Sequence, residues 1–321
     1  MVTDKIINDF FTHSNLENFL VVDVGARNGF GWLENWYTKK SKIVGFEPNK
    51  LECEKLKKHI TDASKQGIKF PKFKTYEYYD KIVWDKKGKL KFCEILNSPA
   101  RSGVDLKPTK LLKKVFVDGE NIETRINKHK VIIKQSICID DFFNKKIIDY
   151  LKIDVEGGEI FVLHGSKKKL KNKEILFIKT EFMSNNFYKN SSNITNLIQF
   201  MKKFGYRLID IDLNPYGYHR SSEKTLVNQN KDFLLGGDLN FIIDPDENFL
   251  SNEIKFRLGF VLVGAGFKQC GFELIKESSF LNDPEISSLK NQLLKVSVTR
   301  SLVKFYHSIP SRIFNFLNKI R

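Results

Sequence analysis

Cysteine is scarce and scattered: the 321-residue chain has 4, at Cys53, Cys93, Cys138 and Cys270, and no two form a C-x-x-C pair. This excludes a zinc site of the usual spacing and a disulfide framework, leaving reduced, partly buried thiols. No apolar run approaches the roughly 18 residues that a spanning helix needs. The N-terminus, Met1-Val2-Thr3-Asp4-Lys5, carries an early acid and leads into no long apolar stretch, so it does not read as a secretory signal. The expectation is a cytoplasmic protein. Acidic residues are also in deficit, 38 against 54 Lys and Arg, for a net charge of +16. The excess is spread along the chain in lysines such as Lys57-Lys58 and Lys167 to Lys169. It reads as a solvated basic surface, and no specific nucleic-acid partner is expected.

What is present is a regular alternation of apolar runs and amphipathic stretches. Asn18 to Gly25, Lys42 to Pro48, Phe73 to Tyr79, Ile148 to Asp154 and Glu174 to Glu181 read as buried strands, with Tyr206 to Ile211 and Asn240 to Ile243 as the last two. Helices are expected at residues 4–11, Trp32 to Tyr37, Pro48 to His59, Glu159 to Leu170 and Ile194 to Phe204, the last ending at Gly205. Strand and helix at this pace predict an α/β fold with a doubly wound, mostly parallel sheet. Lys81 to Glu94 reads as a hairpin turning at Asp85-Lys86-Lys87-Gly88, and Val131 to Ile137 as a further strand. Residues 1–245 then form the main domain, with a loop-rich insertion at 97–130, and 246–321 a C-terminal extension.

Three segments carry chemistry. Asp23-Val24-Gly25-Ala26-Arg27-Asn28-Gly29 follows the first strand, where glycines let the backbone turn sharply and come close to a ligand. The loop lacks both the G-x-G-x-x-G spacing and a terminal G-K-[ST], which argues against a dinucleotide and against ATP. Glu47 ends the second strand 22 positions after Gly25, where an acid in nucleotide-binding α/β sheets takes ribose hydroxyls. A helix N-terminal acid is the plainer alternative. At the fourth strand, Lys152, Asp154 and Glu156 alternate and on an extended chain would face one side. Charges there must pair or serve a site, because burying them otherwise is costly.

Together these segments resemble the FkbM family of S-adenosylmethionine-dependent methyltransferases. The likeness is carried by Val21-Val22-Asp23-Val24-Gly25 through Gly29, by Val44-Gly45-Phe46-Glu47-Pro48-Asn49, and above all by Leu151-Lys152-Ile153-Asp154-Val155-Glu156-Gly157-Gly158-Glu159. It implies a Rossmann-like class I methyltransferase fold, a seven-stranded mostly parallel sheet with helices on both faces, and O-methylation of a small-molecule or glycan acceptor. S-adenosylmethionine would then lie against Asp23, Gly25, Asn28, Gly29 and Glu47. Asp80 falls where the family usually has an asparagine near adenine. Glu181, ending the fifth strand, brings a further carboxylate to the same rim, with a pair to Lys179 or Lys189 as the plainer reading. Lys152, Asp154, Glu156 and Glu181 are the candidates for removing the acceptor's proton, Lys152 only if desolvation lowers its pKa. A divalent ion takes oxygen ligands of this kind, but nothing in the family pattern requires one, and no metal is expected.

Two rival functions remain at this level, an RNA methyltransferase and a binding protein that kept the fold without the chemistry. The acceptor is not readable, although Asn97 to Gly103 suggests a loop over the cofactor and Tyr216, Tyr218 and His219 a sugar-facing patch. After Glu285 the tail holds basic residues and no acid, with an apolar stripe through Leu289, Leu293, Val296, Leu302, Phe305 and Ile309 that resumes beyond Pro310. Residues 288–321 therefore form basic amphipathic helices. Their stripe packs on the enzyme's own core or a twin subunit, or lies on an anionic membrane at its inner face.

Overall fold

The computed structural model describes residues 19–293 except 32, 34, 60–71, 118–119, 190, 214–216, 219–232 and 292. The expected helix at 4–11, the tail beyond 293, and Tyr216 and His219 lie outside the described residues. The strands are β1 (Phe19–Val24), β2 (Ser41–Phe46), β3 (Thr75–Tyr79), β4 (Ile82–Val83), β5 (Gly88–Ile95), β6 (Gly103–Val104), β7 (Phe116–Val117), β8 (Glu120–Asn121), β9 (His129–Ile137), β10 (Ile148–Ile153), β11 (Ile175–Met183), β12 (Tyr206–Leu213), β13 (Gly217–Tyr218), β14 (Phe233–Leu234) and β15 (Gly236–Ile243). Seven of them form the main sheet in the order β12-β15-β11-β10-β1-β2-β3. Neighbours from β11 through β3 pair in parallel, and β15 runs antiparallel to both β11 and β12.

Every residue of β1 and β10 is buried, which is why both are mainly apolar, with Asp23, Asp149 and Lys152 as charged exceptions: a parallel sheet covered on both faces has no polar side. Strand order reverses between β1 and β10, the place where open α/β sheets leave a crevice at their carboxyl ends. All three chemical segments end there.

One helix covering the sheet comes from beyond residue 245. Asn252–Ala265 is buried from Phe256 through Gly264 and packs on β10, β11 and the short helix Asn35–Thr38. The apolar core is therefore continuous across that boundary. Arg257 on this helix meets Asp149 of β10 with two bonds, Nε to Oδ1 at 2.8 Å and Nη2 to Oδ2 at 2.6 Å, and neither side chain is more than 4% exposed. Asp149 also accepts the Leu20 amide at 2.7 Å, tying β1 into the same pair. Among the described residues no helix is long and apolar enough to cross a membrane.

Two local expectations need correction. Residues 81–94 do not form a hairpin, because β9 lies between β4 and β5 in a separate sheet of order β4-β9-β5-β6, parallel to β4 and antiparallel to β5. Asp85 to Lys87 bend between β4 and β5, but the partner of both strands is β9 at residues 129–137, which no local pattern encodes. The helix expected at 159–170 is two helices, Glu159–His164 and Lys167–Lys171. The Asp140 carboxylate accepts the amides of Lys168 and Lys169 at 2.9 and 3.0 Å, giving the second helix its own start. The 97–130 segment carries a 3-10 turn at Pro99–Arg101, the hairpin β7–β8 and the helix Ile122–Ile126 around a small apolar cluster. Tyr218 is buried in that cluster against Phe187 and does not face an open sugar site.

Removing one partner of a buried pair leaves an uncompensated charge. Arg257→Ala is expected to lower unfolding stability by about 3–5 kcal/mol, measured by urea denaturation. A loss within about 0.5 kcal/mol, the range of ordinary surface substitutions, would mean the pair does not fasten the helix.

Candidate functional site

The loop after β1 is shaped by close backbone contacts. Gly25 has φ +82°, and a Cβ there would lie 1.8 Å from the Asp154 carbonyl oxygen. The amides of Gly25 and Ala26 both donate to the Phe46 carbonyl at 3.0 Å, and the Asp154 amide donates to Val24 at 3.0 Å. The loop is thus pinned between the ends of β2 and β10. Asn28 and Gly29 continue it with φ of 65° and 85°, a conformation that favours these two residue types.

Below the loop lies Lys152, 6% exposed. Its Nζ stands 3.4 Å from Asp23 Oδ1 and 3.1 Å from Asp154 Oδ2, and donates to the Gly25 carbonyl at 3.2 Å. Burial works against the ammonium charge, but Asp154 and then Asp23 outweigh it and the pKa is raised. Lys152 is therefore not the desolvated, low-pKa base considered from the sequence. It is a cation that cross-links two strand ends. Asp23, fully buried, is pushed up to about 6 by burial against the pull of Lys152.

Glu47 closes the cleft at the end of β2, and it is 5% exposed. Its Oε1 accepts the Asn49 amide at 2.8 Å, while burial pushes its pKa up to about 7. It is not the helix cap, because Asn49 caps Lys50–Lys57 through the Glu52 amide. Arg27 pairs with Glu52 at 3.3 Å and donates to the Pro99 carbonyl at 3.2 Å, joining the glycine loop to the turn Pro99–Arg101.

Asp154, Glu156 and Glu181 converge, with one carboxylate oxygen of each within 4.8 Å of the others. They do so by a different route from the one expected. β10 ends at Ile153, and Glu156 has φ 58°, so a turn and not strand alternation brings Glu156 beside Asp154. Glu159 holds that turn: its Oε1 accepts the amides of Val155 and Gly157, both at 3.1 Å. An acid opening a helix after two glycines was a visible signal for this reach-back, and the sequence reading passed over it. Burial, reinforced by Asp154, pushes Glu156 up to about 8. Burial with Asp154 and Glu156 drives Glu181 well above the ordinary carboxyl range, and its buried Oε2 has no hydrogen-bond partner among the described residues. Lys179 is not its partner, being paired with Asp212 at 2.7 Å and Asp238 at 3.2 Å.

Gly25, Asn28, Glu47, Asp154, Glu156 and Glu181 all border one cleft of about 220 Å³, roofed by Pro99, Ala100, Ser102 and Gly103. Asp80 does not border it. Its carboxylate points to Lys134 at 3.4 Å, and Lys81 to Trp84 form the wall instead. Trp84, stacked on Phe161 with ring centroids 4.6 Å apart, was not singled out from sequence.

The family profile of the methyltransferase FkbM domain matches residues 23–208. No curated protein matches the chain. Solved structures that resemble it include a magnesium protoporphyrin IX methyltransferase from Synechocystis with bound SAM, at 8% identity and TM-score 0.32, covering 75% of this chain and 77% of that one. Another is a TehB-like SAM-dependent methyltransferase from Corynebacterium glutamicum, at 9% identity and TM-score 0.30, covering 76% and 88%.

Gly25 and Gly266 both have positive φ, +82° and +101°, but a Cβ at Gly266 would meet nothing within 4 Å. Each alanine substitution pays about 1–2 kcal/mol for the left-handed backbone. Gly25→Ala should exceed Gly266→Ala by a further 1–3 kcal/mol or so, the scale of overpacking. Equal losses in denaturant titrations would mean that the loop does not press on Asp154.

Proposed function

The chain belongs to the FkbM methyltransferase family, and from that premise we propose that it moves the methyl group of S-adenosylmethionine to a hydroxyl of a small or glycan-type acceptor. The residues at the cleft fit this donor. Gly25 lets the loop close on the Asp154 backbone, where a side chain would collide, and so brings the loop to the wall of the cleft. Glu47 offers a buried carboxylate to a ribose diol, for which two adjacent hydroxyls are matched donors. Asn28 borders the methionine side, while Asp23, fully buried, and Gly29 lie outside the cleft lining and support the loop from behind. Bound there, S-adenosylmethionine supplies an electrophilic methyl group and departs as S-adenosylhomocysteine.

The protein's part is positioning and proton removal. Glu156 is assigned as the base, because it borders the cleft and its carboxyl, pushed to about 8, has an affinity for protons suited to taking one near neutral pH. Asp154, held by Lys152, fixes the rim beside it. Glu181, kept protonated, donates a hydrogen bond to the acceptor and does not compete for its proton. The single observation carrying this reading is the convergence of Asp154, Glu156 and Glu181 at the same cleft as Gly25 and Glu47. Labelled methyl transfer from S-adenosylmethionine to a glycan pool and to an RNA pool tests the acceptor class. Label in RNA alone would overturn it.

Glu47 accepts ribose hydroxyls as the carboxylate, and its pKa is raised to about 7. Donor affinity should therefore strengthen as pH rises from about 6 to 8 and fall below the raised pKa. Glu47→Gln should bind about tenfold or more weakly at pH 8, a loss of charged hydrogen bonds, and lose the pH dependence. Unchanged titration curves would place the donor elsewhere. Glu156→Gln and Asp154→Asn should each cut turnover about a hundredfold or more with a smaller effect on donor affinity. The wild-type rate should climb with pH through about 8, tracking the Glu156 carboxylate.

A further inference from the structure

Two cavities open from the carboxylate rim on the side away from Glu47. One, of about 520 Å³, holds Asp210, Asp212 and Asp238 around Lys179. Lys179 pairs with both Asp212 and Asp238, but the acids outnumber it, so this cavity is acidic. The other, of about 270 Å³, reaches Glu156 and Glu181 from the side of the 97–130 segment and contains Arg101 and Arg125 beside Phe187 and Tyr188. It sets two arginines beside two carboxyl groups, and Arg125 is also paired with Glu120.

Arg101 makes no ion pair among the described residues, although it lies near enough to Glu156 and Tyr188 to favour their ionised forms. Arg125 is oriented by Glu120 through Nε at 2.8 Å and by the Val117 carbonyl through Nη2 at 3.5 Å, which leaves Nη1 available. Burial raises the pKa of both Glu156 and Glu181, which weakens their hold on the arginines. A guanidinium stays charged throughout, and two of them in a partly apolar cavity form a ready fork for an oxyanion. The turn that carries Arg101 also roofs the donor cleft through Pro99 and Ala100, and Arg27 fastens it to the glycine loop.

We propose that the acceptor is an anionic hydroxyl compound whose carboxylate or phosphate is held by Arg101 and Arg125, with its reacting hydroxyl at Glu156. This rests on the methyltransferase reading above and names its substrate class. Aromatic and aliphatic walls around the arginines suit the faces of a sugar-sized ring, and Glu156, shared by cavity and cleft, meets the hydroxyl side of such a ring.

Isothermal titration at neutral pH tests this with three probes that differ in one substituent: glucose, glucuronate and glucose 6-phosphate. Each is titrated into the full chain with S-adenosylhomocysteine present, and again without it. At least one anionic sugar should bind about tenfold or more tightly than glucose, a difference of about 1.4 kcal/mol, and the two anionic arms tell carboxylate from phosphate. That preference should vanish in the Arg101→Gln/Arg125→Gln double variant while S-adenosylhomocysteine affinity stays within about twofold. Equal binding of all three sugars, no anionic binding at about 10 mM, or a preference that survives in the double variant would each overturn the proposal. Failure of the methyltransferase reading is distinct: S-adenosylhomocysteine would not bind the wild type, while the sugar titrations without it would still read the arginine cavity directly.

Discussion

The buried ammonium of Lys152 is the contact on which the site depends. It touches Asp23 at the end of β1, Asp154 at the end of β10 and the Gly25 carbonyl between them. These strands pair side by side to their ends at the switch point of the sheet, Val24 opposite Ile153, and the ammonium adds a side-chain cross-link where the glycine loop closes on Asp154. A lone buried charge would be too costly to retain, but one cation shared by two carboxylates and a carbonyl is compensated by geometry. The backbone repeats the same join through the Val24 carbonyl and the Asp154 amide at 3.0 Å. The missing side chain at Gly25 lets the two segments touch.

From that join outward, burial sets the chemistry. Asp23 and Asp154 flank a cation, whereas Glu156 and Glu181 face each other with little positive charge between them. Desolvation and like-charge neighbours then hold Glu156 and Glu181 toward the neutral form. The same rim therefore presents Asp154 paired with Lys152 beside two carboxyl groups, Glu156 and Glu181, whose pKa values are raised. Glu159 supports this arrangement without bordering the cleft, since it occupies the amides of the turn that carries Glu156.

Much of this was legible in the sequence, because parallel strands announce themselves as mainly apolar runs and deliver their terminal residues to one edge. That logic brought Gly25, Glu47, Asp154 and Glu181 to a common rim. It failed where position depends on distant partners. Asp80 sits one residue past β3 and turns to Lys134 on β9, a strand whose place in a second sheet no local pattern reveals. The break between Glu159–His164 and Lys167–Lys171 is set by Asp140, which lies upstream of β10. Glu156 was placed on the right rim by an argument from alternation, whereas a left-handed turn puts it there. The sign of the Lys152 shift was open, because the balance of desolvation against two carboxylates needs distances. Arg101 and Arg125 lie in an irregular segment whose spacing carries no period, so neither could be picked from the chain's many basic residues.

We place donor and acceptor where β1, β2, β10 and β11 end together. A crystal structure of the chain with S-adenosylhomocysteine is the sharpest test. It should show ribose hydroxyls on the Glu47 carboxylate, the ligand's backbone against Gly25, and its sulfur turned toward Glu156 and Asp154. A ligand seated in the cavity of Asp210, Asp212 and Asp238, or bound in the cleft with its ribose away from Glu47, would contradict it.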